Sequence, residues 1–198
     1  MKKFIIGVLL FFALFISAFA SGPIDYADGI NDSSIFINAG AGFPLINILN
    51  AMDYVSSSGS YFSKTKIPSF SVSADFHLPI GLPVSAGAYY GITIYDEKDD
   101  NIWRNHGWYM GIGARISWHF NFKVKNLDPY AGGVIGLLIH NRNHELLATN
   151  EPEETTNYQI FCGGHIGIRY FFSNNIGIYL EAGFNQITVG SIGLSLKF

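Results

Sequence analysis

The side chains able to trade protons, carry charge or attack a carbonyl recur in this chain at intervals of two or four. They are Asp75 and His77; Arg115, Ser117 and His119; His165 and Arg169; then Glu181, with Lys197 near the end. In an extended backbone such spacings put the members of each set on one face. Gathered into one enclosed space, Asp75, Arg115, His165, Arg169, Glu181 and Lys197 would form a polar network, because a buried charge must be paired or hydrated. A structural polar plug is the reading adopted. The sharper alternative makes His77, His119, His140 and His165 a proton- or ligand-gated switch. Nucleophilic catalysis needs a nucleophile and base open to substrate. The near pair Ser117 and His119 shares the charged face, so no enzyme, catalytic residue or cofactor is expected. The acidic runs Asp96–Asp100 and Glu151–Glu154 lack the glycine and ligand spacing of a calcium loop and read as solvated surface, with no metal site.

These residues need strands to hold them, and the alternation around each one is that of a strand with one apolar and one polar face. Eight such stretches follow residue 33: Ser34–Phe43, Ile67–Leu78, Val84–Tyr95, Gly107–Phe120, Pro129–His140, Tyr158–Phe171, Ile176–Asn185 and Thr188–Phe198. In the second, Phe70, Val72, Ala74, Phe76 and Leu78 oppose Ser69, Ser71, Ser73, Asp75 and His77. The fifth is less regular, with Val134 and Leu138 on the polar side. Connections alternate in length. Pro79–Pro83, Asn121–Asp128 and Phe172–Asn175 are short, whereas Pro44–Lys66, Asp96–His106 and Asn141–Asn157 are longer; only the short link around Gln186 breaks the rule. Outward aromatics fall in two bands, Phe76, Trp118, Phe120, Tyr170 and Phe198 toward the short turns and Phe43, Phe70, Trp108, Tyr158 and Phe184 toward the long loops, with Tyr90 between them. Two aromatic girdles around an aliphatic band are what the two headgroup layers of a bilayer select.

Composition agrees. Charged residues make up 14% of the 198, aromatics 16%, and there are 22 glycines, too little charge to cover a soluble surface of ordinary kind. Lys2 and Lys3, an uncharged run and Ala18-Phe19-Ala20 read as a cleaved signal peptide over residues 1–20. Residues 21–33 are then an N-terminal periplasmic segment and 34–198 the barrel domain. Without the leader, 10 basic residues face 15 acidic ones, which gives nucleic acid no basic patch to bind. A single Cys162 allows no internal disulfide and is read as a small hydrophobe. Leu45, Ile48, Leu49, Met52 and Val55 recur at helical spacing, an amphipathic segment expected to pack over the barrel mouth or on the membrane.

The final strand, Thr188–Phe198, sets Ile192, Leu194, Leu196 and Phe198 against Ser191, Gly193, Ser195 and Lys197. With Pro129-Tyr130-Ala131-Gly132-Gly133-Val134-Ile135-Gly136 and the run from Arg169 to Gly177, it resembles the small eight-stranded bacterial outer-membrane β-barrel family that includes the OmpA membrane domain, OmpX and OmpW. The resemblance implies an all-β, eight-stranded antiparallel transmembrane β-barrel in the outer membrane of a Gram-negative-type envelope. Its periplasmic turns would be short and its extracellular loops longer. It implies outer-membrane lipid as surroundings, and the barrel-assembly machinery and periplasmic chaperones as partners in biogenesis, with a monomer as the working state. Phe198 matches the aromatic assembly signal of that family. Implied roles run from a structural or surface-interaction protein to a narrow conduit for small apolar solutes, with Leu45, Ile48, Leu49 and Met52 as an apolar mouth; a lipid-modifying enzyme is the remotest.

Deleting Phe198 is expected to reduce membrane insertion sharply, whereas Lys197→Gln should leave it near the parent's. Heat-modifiable migration in gels measures the folded fraction, and equal yields would remove the assembly-signal reading.

Overall fold

A computed structural model describes residues 34–44, 63–64, 68–99, 103–146, 151–184 and 187–198. Leu45, Ile48, Leu49 and Met52, and the leader and N-terminal segment before residue 34, lie outside the described residues. Among the described residues there are nine strands: β1 (Ile35–Pro44), β2 (Ser63–Lys64), β3 (Ser69–His77), β4 (Val84–Asp99), β5 (Trp103–His119), β6 (Leu127–Leu146), β7 (Glu151–Phe171), β8 (Ile176–Phe184) and β9 (Thr188–Lys197). Each of β3 to β8 pairs antiparallel with the next along the chain, and β1 pairs with both β3 and β9. The result is a closed eight-stranded barrel; β2 is a two-residue addition to β4 at Asp96 and Glu97. Closure leaves the barrel no free edge at its waist. The seam ends with Ile35 N–H donating to the Phe198 carbonyl and Phe198 N–H to the Ile35 carbonyl, both at 3.0 Å.

The alternation of β3 becomes an alternation of burial. Ser69, Ser71, Ser73, Asp75 and His77 are enclosed, while Phe70, Val72 and Phe76 stand out from the wall. The same inversion runs round the barrel, with Ile112, Ile116, Ile135, Ile160, Ile166, Leu180, Ile192 and Leu194 all exposed. Water would forfeit the transfer free energy of every one of these side chains, about 25 cal/mol per Å². The wall is therefore built to face hydrocarbon, where a closed ladder satisfies each backbone polar group. Phe76, Tyr170 and Phe198 are exposed at the end with the turns, and Phe43, Phe70, Tyr158 and Phe184 at the other. Trp118 departs from the expected girdle: it holds an outward register position but is only 5% exposed.

The connections predicted at Asp96–His106 and Asn141–Asn157 are mostly strand. β4 to β7 run to 16, 17, 20 and 21 residues, against 10, 9, 9 and 10 for β1, β3, β8 and β9. A tilted strand crosses hydrocarbon in roughly 9–11 residues, so the long strands continue beyond it. Ladder pairing continues past that boundary from Tyr95↔Gly107 to Asp99↔Trp103 and from Asn141↔Thr156 to Leu146↔Glu151; Tyr95, Asn105 and Asn141 stay buried there, whereas on β7 every residue from Glu153 to Ile160 is exposed and the alternation is lost. β6 also begins earlier than the pattern suggested, which brings Asp128 into the strand.

Glycine is required where wall segments press together. A Cβ on Gly136 would strike the Ile112 carbonyl of β5, and one on Gly167 would strike the Tyr130 ring, whereas one on Gly133 would meet only the Gly163 oxygen at 3.5 Å. Gly136→Ala is expected to destabilise the barrel by about 1–3 kcal/mol through overpacking and Gly133→Ala by roughly 0.5 kcal/mol or less. Urea titration of the refolded barrel separates the two.

Candidate functional site

The lumen has two chemically distinct halves. Toward the turns, Arg169 of β7 is fully enclosed. Its Nη2 donates to Asp75 Oδ2 at 2.6 Å, its Nη1 to Asp128 Oδ2 at 2.8 Å and its Nε to Asn38 Oδ1 at 3.1 Å. The guanidinium carbon lies 4.0 Å from the Tyr130 ring centroid and 4.6 Å from that of Phe36, so aromatic faces cover it where carboxylates do not. Arg115 of β5 donates from Nη2 to Glu181 Oε2 at 2.8 Å, and Tyr130 Oη donates to the same oxygen at 2.9 Å. Arg115 Nε is 3.0 Å from Asp75 Oδ1; neither atom has an aligned hydrogen bond, so this contact is one of charge alone. Asp75 therefore bridges both guanidiniums.

Two histidines extend the cluster. His119 lies 2.7 Å by Nδ1 from Asp128 Oδ1 and 2.9 Å by Nε2 from Ser85 Oγ. An ionised carboxylate only accepts, so the Nδ1 proton belongs to His119. His165 Nε2 is 2.8 Å from Ser117 Oγ. Ser85, His119 and Asp128 stand in the order of a serine-hydrolase triad. Ser85 is fully buried and Asp128 is already bound by Arg169, so the order comes without access for a substrate carbonyl.

The other half of the lumen holds an apolar cluster, with the buried hydroxyls of Ser69, Ser71, Thr93 and Thr188 at the same end. Tyr89, Val134, Leu138 and Phe161 pack with Ile187, and Tyr109 lies against them. Ile187 belongs to no strand; it enters from the β8–β9 connection and is fully buried, its side chain lying over Gly91 and Gly111. Beyond this layer Tyr109 stacks on His140 with centroids 4.0 Å apart, and Tyr95 Oη is 2.8 Å from His140 Nε2.

Of the residues singled out from the sequence, Asp75, Arg115, Arg169 and Glu181 come together, with His165 beside them through Ser117. Lys197 is at the terminal end, its Nζ 5.0 Å from the Phe171 ring centroid. Phe198 closes the seam. The sequence reading missed Asp128, Asn38 and Ser85 as members of the cluster. For Asp128 the signal was parity: it falls in step with Tyr130 and Gly132 and opposite Arg169 in the ladder. The apolar cluster was foreshadowed by Val134, Leu138 and Phe161 on the inward side, while nothing in the sequence marked Ile187.

No family model and no curated protein matches the chain. Among solved structures it is similar to Ail, the attachment invasion locus protein of Yersinia pestis, at 9% identity and a TM-score of 0.49 over 84% of this chain and 97% of that one. It is also similar to the N-terminal β-barrel domain of Pseudomonas aeruginosa OprF, at 14% identity and a TM-score of 0.45 over 85% and 98%. Neisserial surface protein A matches at 12% identity and a TM-score of 0.46 over 84% and 96%. Likeness at this level assigns no role.

Removing one member of a buried ion cluster strands its partners, at about 3–5 kcal/mol. Asp75→Asn is expected to reach that range and to exceed Glu181→Gln, which leaves Arg115 beside Asp75. Unfolding free energies from urea titration test the order, and a parent-like Asp75→Asn would mean that water already solvates the cluster.

Proposed function

We propose that the chain is an integral monomeric protein of the bacterial outer membrane that works at the cell surface through its projecting strands, without conduction and without catalysis. Export through a leader cut after Ala20 and insertion by the barrel-assembly machinery belong to this reading. The observation that carries it is the inequality of the strands: β4 to β7 have nearly twice the length that β1, β3, β8 and β9 use to cross the barrel wall. Their excess makes a four-stranded sheet above a filled lumen. Among the described residues, β7 pairs with β8 only from Gly164 onward, which leaves Glu151–Gly163 bonded on one side. Such an edge offers unpaired backbone groups to an extended segment of another protein. The exposed Glu153, Glu154, Thr155, Thr156 and Asn157 give it a polar, acidic character.

The second reading, a conduit for small apolar solutes, draws support from the apolar cluster in the outer half of the lumen. It meets an obstacle at the glycine-rich wall of β6 and β7, where the Tyr130 ring occupies the space inside Gly167.

In a Cys162→Ala background, Glu154→Cys is expected to react with a membrane-impermeant maleimide on intact cells, and the parent reconstituted in planar bilayers to give no channel events. Labelling only after permeabilisation would overturn the surface role. Passage of an apolar solute by the parent, abolished by filling the wall with Gly133→Leu, would favour the conduit.

A further inference from the structure

We infer that the turn end of the barrel is a binding surface for the phosphate headgroups of anionic phospholipid in the leaflet it faces, an inference that rests on the membrane reading above. A turn in water is ordinarily built from Gly, Asn, Asp, Ser and Pro. Here all three turns at this end carry large exposed apolar side chains: Ile80 and Leu82 between β3 and β4, Phe122 and Val124 between β5 and β6, and Phe172 at the start of the turn between β7 and β8, each from 44% to 63% exposed. They adjoin the apolar wall: the rings of Phe120 and Phe122 lie 6.5 Å apart, and Phe198, Tyr170 and Phe76 are exposed at the same end. Tips of this kind belong below the headgroup plane, not in bulk water.

The β5–β6 turn adds charge to that placement. Lys123 and Lys125 alternate with Phe122 and Val124, and all four are exposed. The turn is shaped, not slack. Lys123 N–H donates to Asn121 Oδ1 at 2.7 Å, Lys123 and Asn126 adopt left-handed φ values of 58° and 64°, and Asn126 accepts from Phe171 N–H at 2.9 Å. A non-glycine side chain in that region is uncommon; holding Lys123 there fixes the direction in which the loop presents its cations. Among the described residues no Asp or Glu side chain is exposed at this end; Asp75, Asp128 and Glu181 are all turned into the lumen. The opposite end carries Glu145, Glu153 and Glu154. Two lysines with long apolar stems, set among side chains that seek the acyl boundary, reach back to the phosphate level.

The test uses the full mature chain refolded into vesicles of phosphatidylcholine containing either spin-labelled phosphatidylglycerol or spin-labelled phosphatidylcholine as probe. The fraction of each probe immobilised against the barrel is read from its spectrum. The parent is expected to favour phosphatidylglycerol, and added salt to weaken that preference. Lys123→Asn with Lys125→Gln, chosen because Asn tolerates the left-handed backbone, should reduce the preference by about tenfold while leaving heat-modifiable folding intact. Phe122→Ser with Val124→Ser should weaken it by lifting the loop away from the headgroups. An immobilised lipid shell with equal affinity for the two probes, as a turn end serving a soluble protein would give, overturns this inference and leaves the membrane reading standing. Absence of any immobilised shell would sink the membrane reading itself. A preference that survives in the double lysine variant places it elsewhere on the barrel and overturns the assignment to this turn.

Discussion

A guanidinium cannot be taken wholly out of water unless its charge and its donors are answered, and Arg169 is answered on every side. Two carboxylates, an amide oxygen and two aromatic faces surround it, drawn from β1, β3 and β6. Asp75 passes the linkage on to Arg115 of β5, which reaches across the lumen to Glu181 of β8. Six of the eight barrel strands are thereby joined by side chains as well as by the ladder. A wall of small and apolar residues fixes strand pairing only loosely, because a slip by two preserves every face. The cluster removes that freedom, since a slipped Arg169 would lose its carboxylates.

That interior explains which parts of the molecule were legible in the sequence. Asp75, Arg115, Arg169 and Glu181 sit on strands whose other face must meet hydrocarbon, so the alternation around them is strict and their inward direction follows from neighbours such as Phe76, Ile116, Ile168 and Leu180. Which carboxylate meets which arginine is a matter of distance across the lumen, and adjacency in the ladder misleads. Glu181 lies opposite Gly167 in the register but bonds to Arg115 on the far side. Asp128 was hidden for a simpler reason: a strand's first residues look like the turn before it. The ends of β4 to β7 were hidden because polar residues stand on both faces there, Asn105 and Asn141 inward and Glu153 and Glu154 exposed, so no apolar and polar alternation marks the ladder.

The two halves of the lumen answer different needs. The charged half ties strands together near the turns, at the end where Ile35 and Phe198 complete the seam. The apolar cluster, with Ile187 brought in from a connection, packs the lumen near the projecting sheet without matched charges. Hydrophobic filling tolerates adjustment, and it lies below the hairpins that differ most from a plain barrel. The contrast divides the molecule into a fixed base and a more adaptable collar.

The seam between β1 and β9 also has a meaning in time. Its partners, from Phe36 with Lys197 to Pro44 with Thr188, stand at opposite ends of the described chain, the widest sequence separation any strand pair can have. Contacts so distant along the chain are slow to form because the whole intervening length must first be brought round. Every hairpin from β3 to β9 can zip locally, but the cylinder does not exist until the first strand meets the last. Until then β1 and β9 are two bare edges on a curved, apolar sheet, the condition in which strands find wrong partners. Closure therefore needs the two ends of the described chain to meet, and while the edges of β1 and β9 stay open the chain is exposed to its own copies.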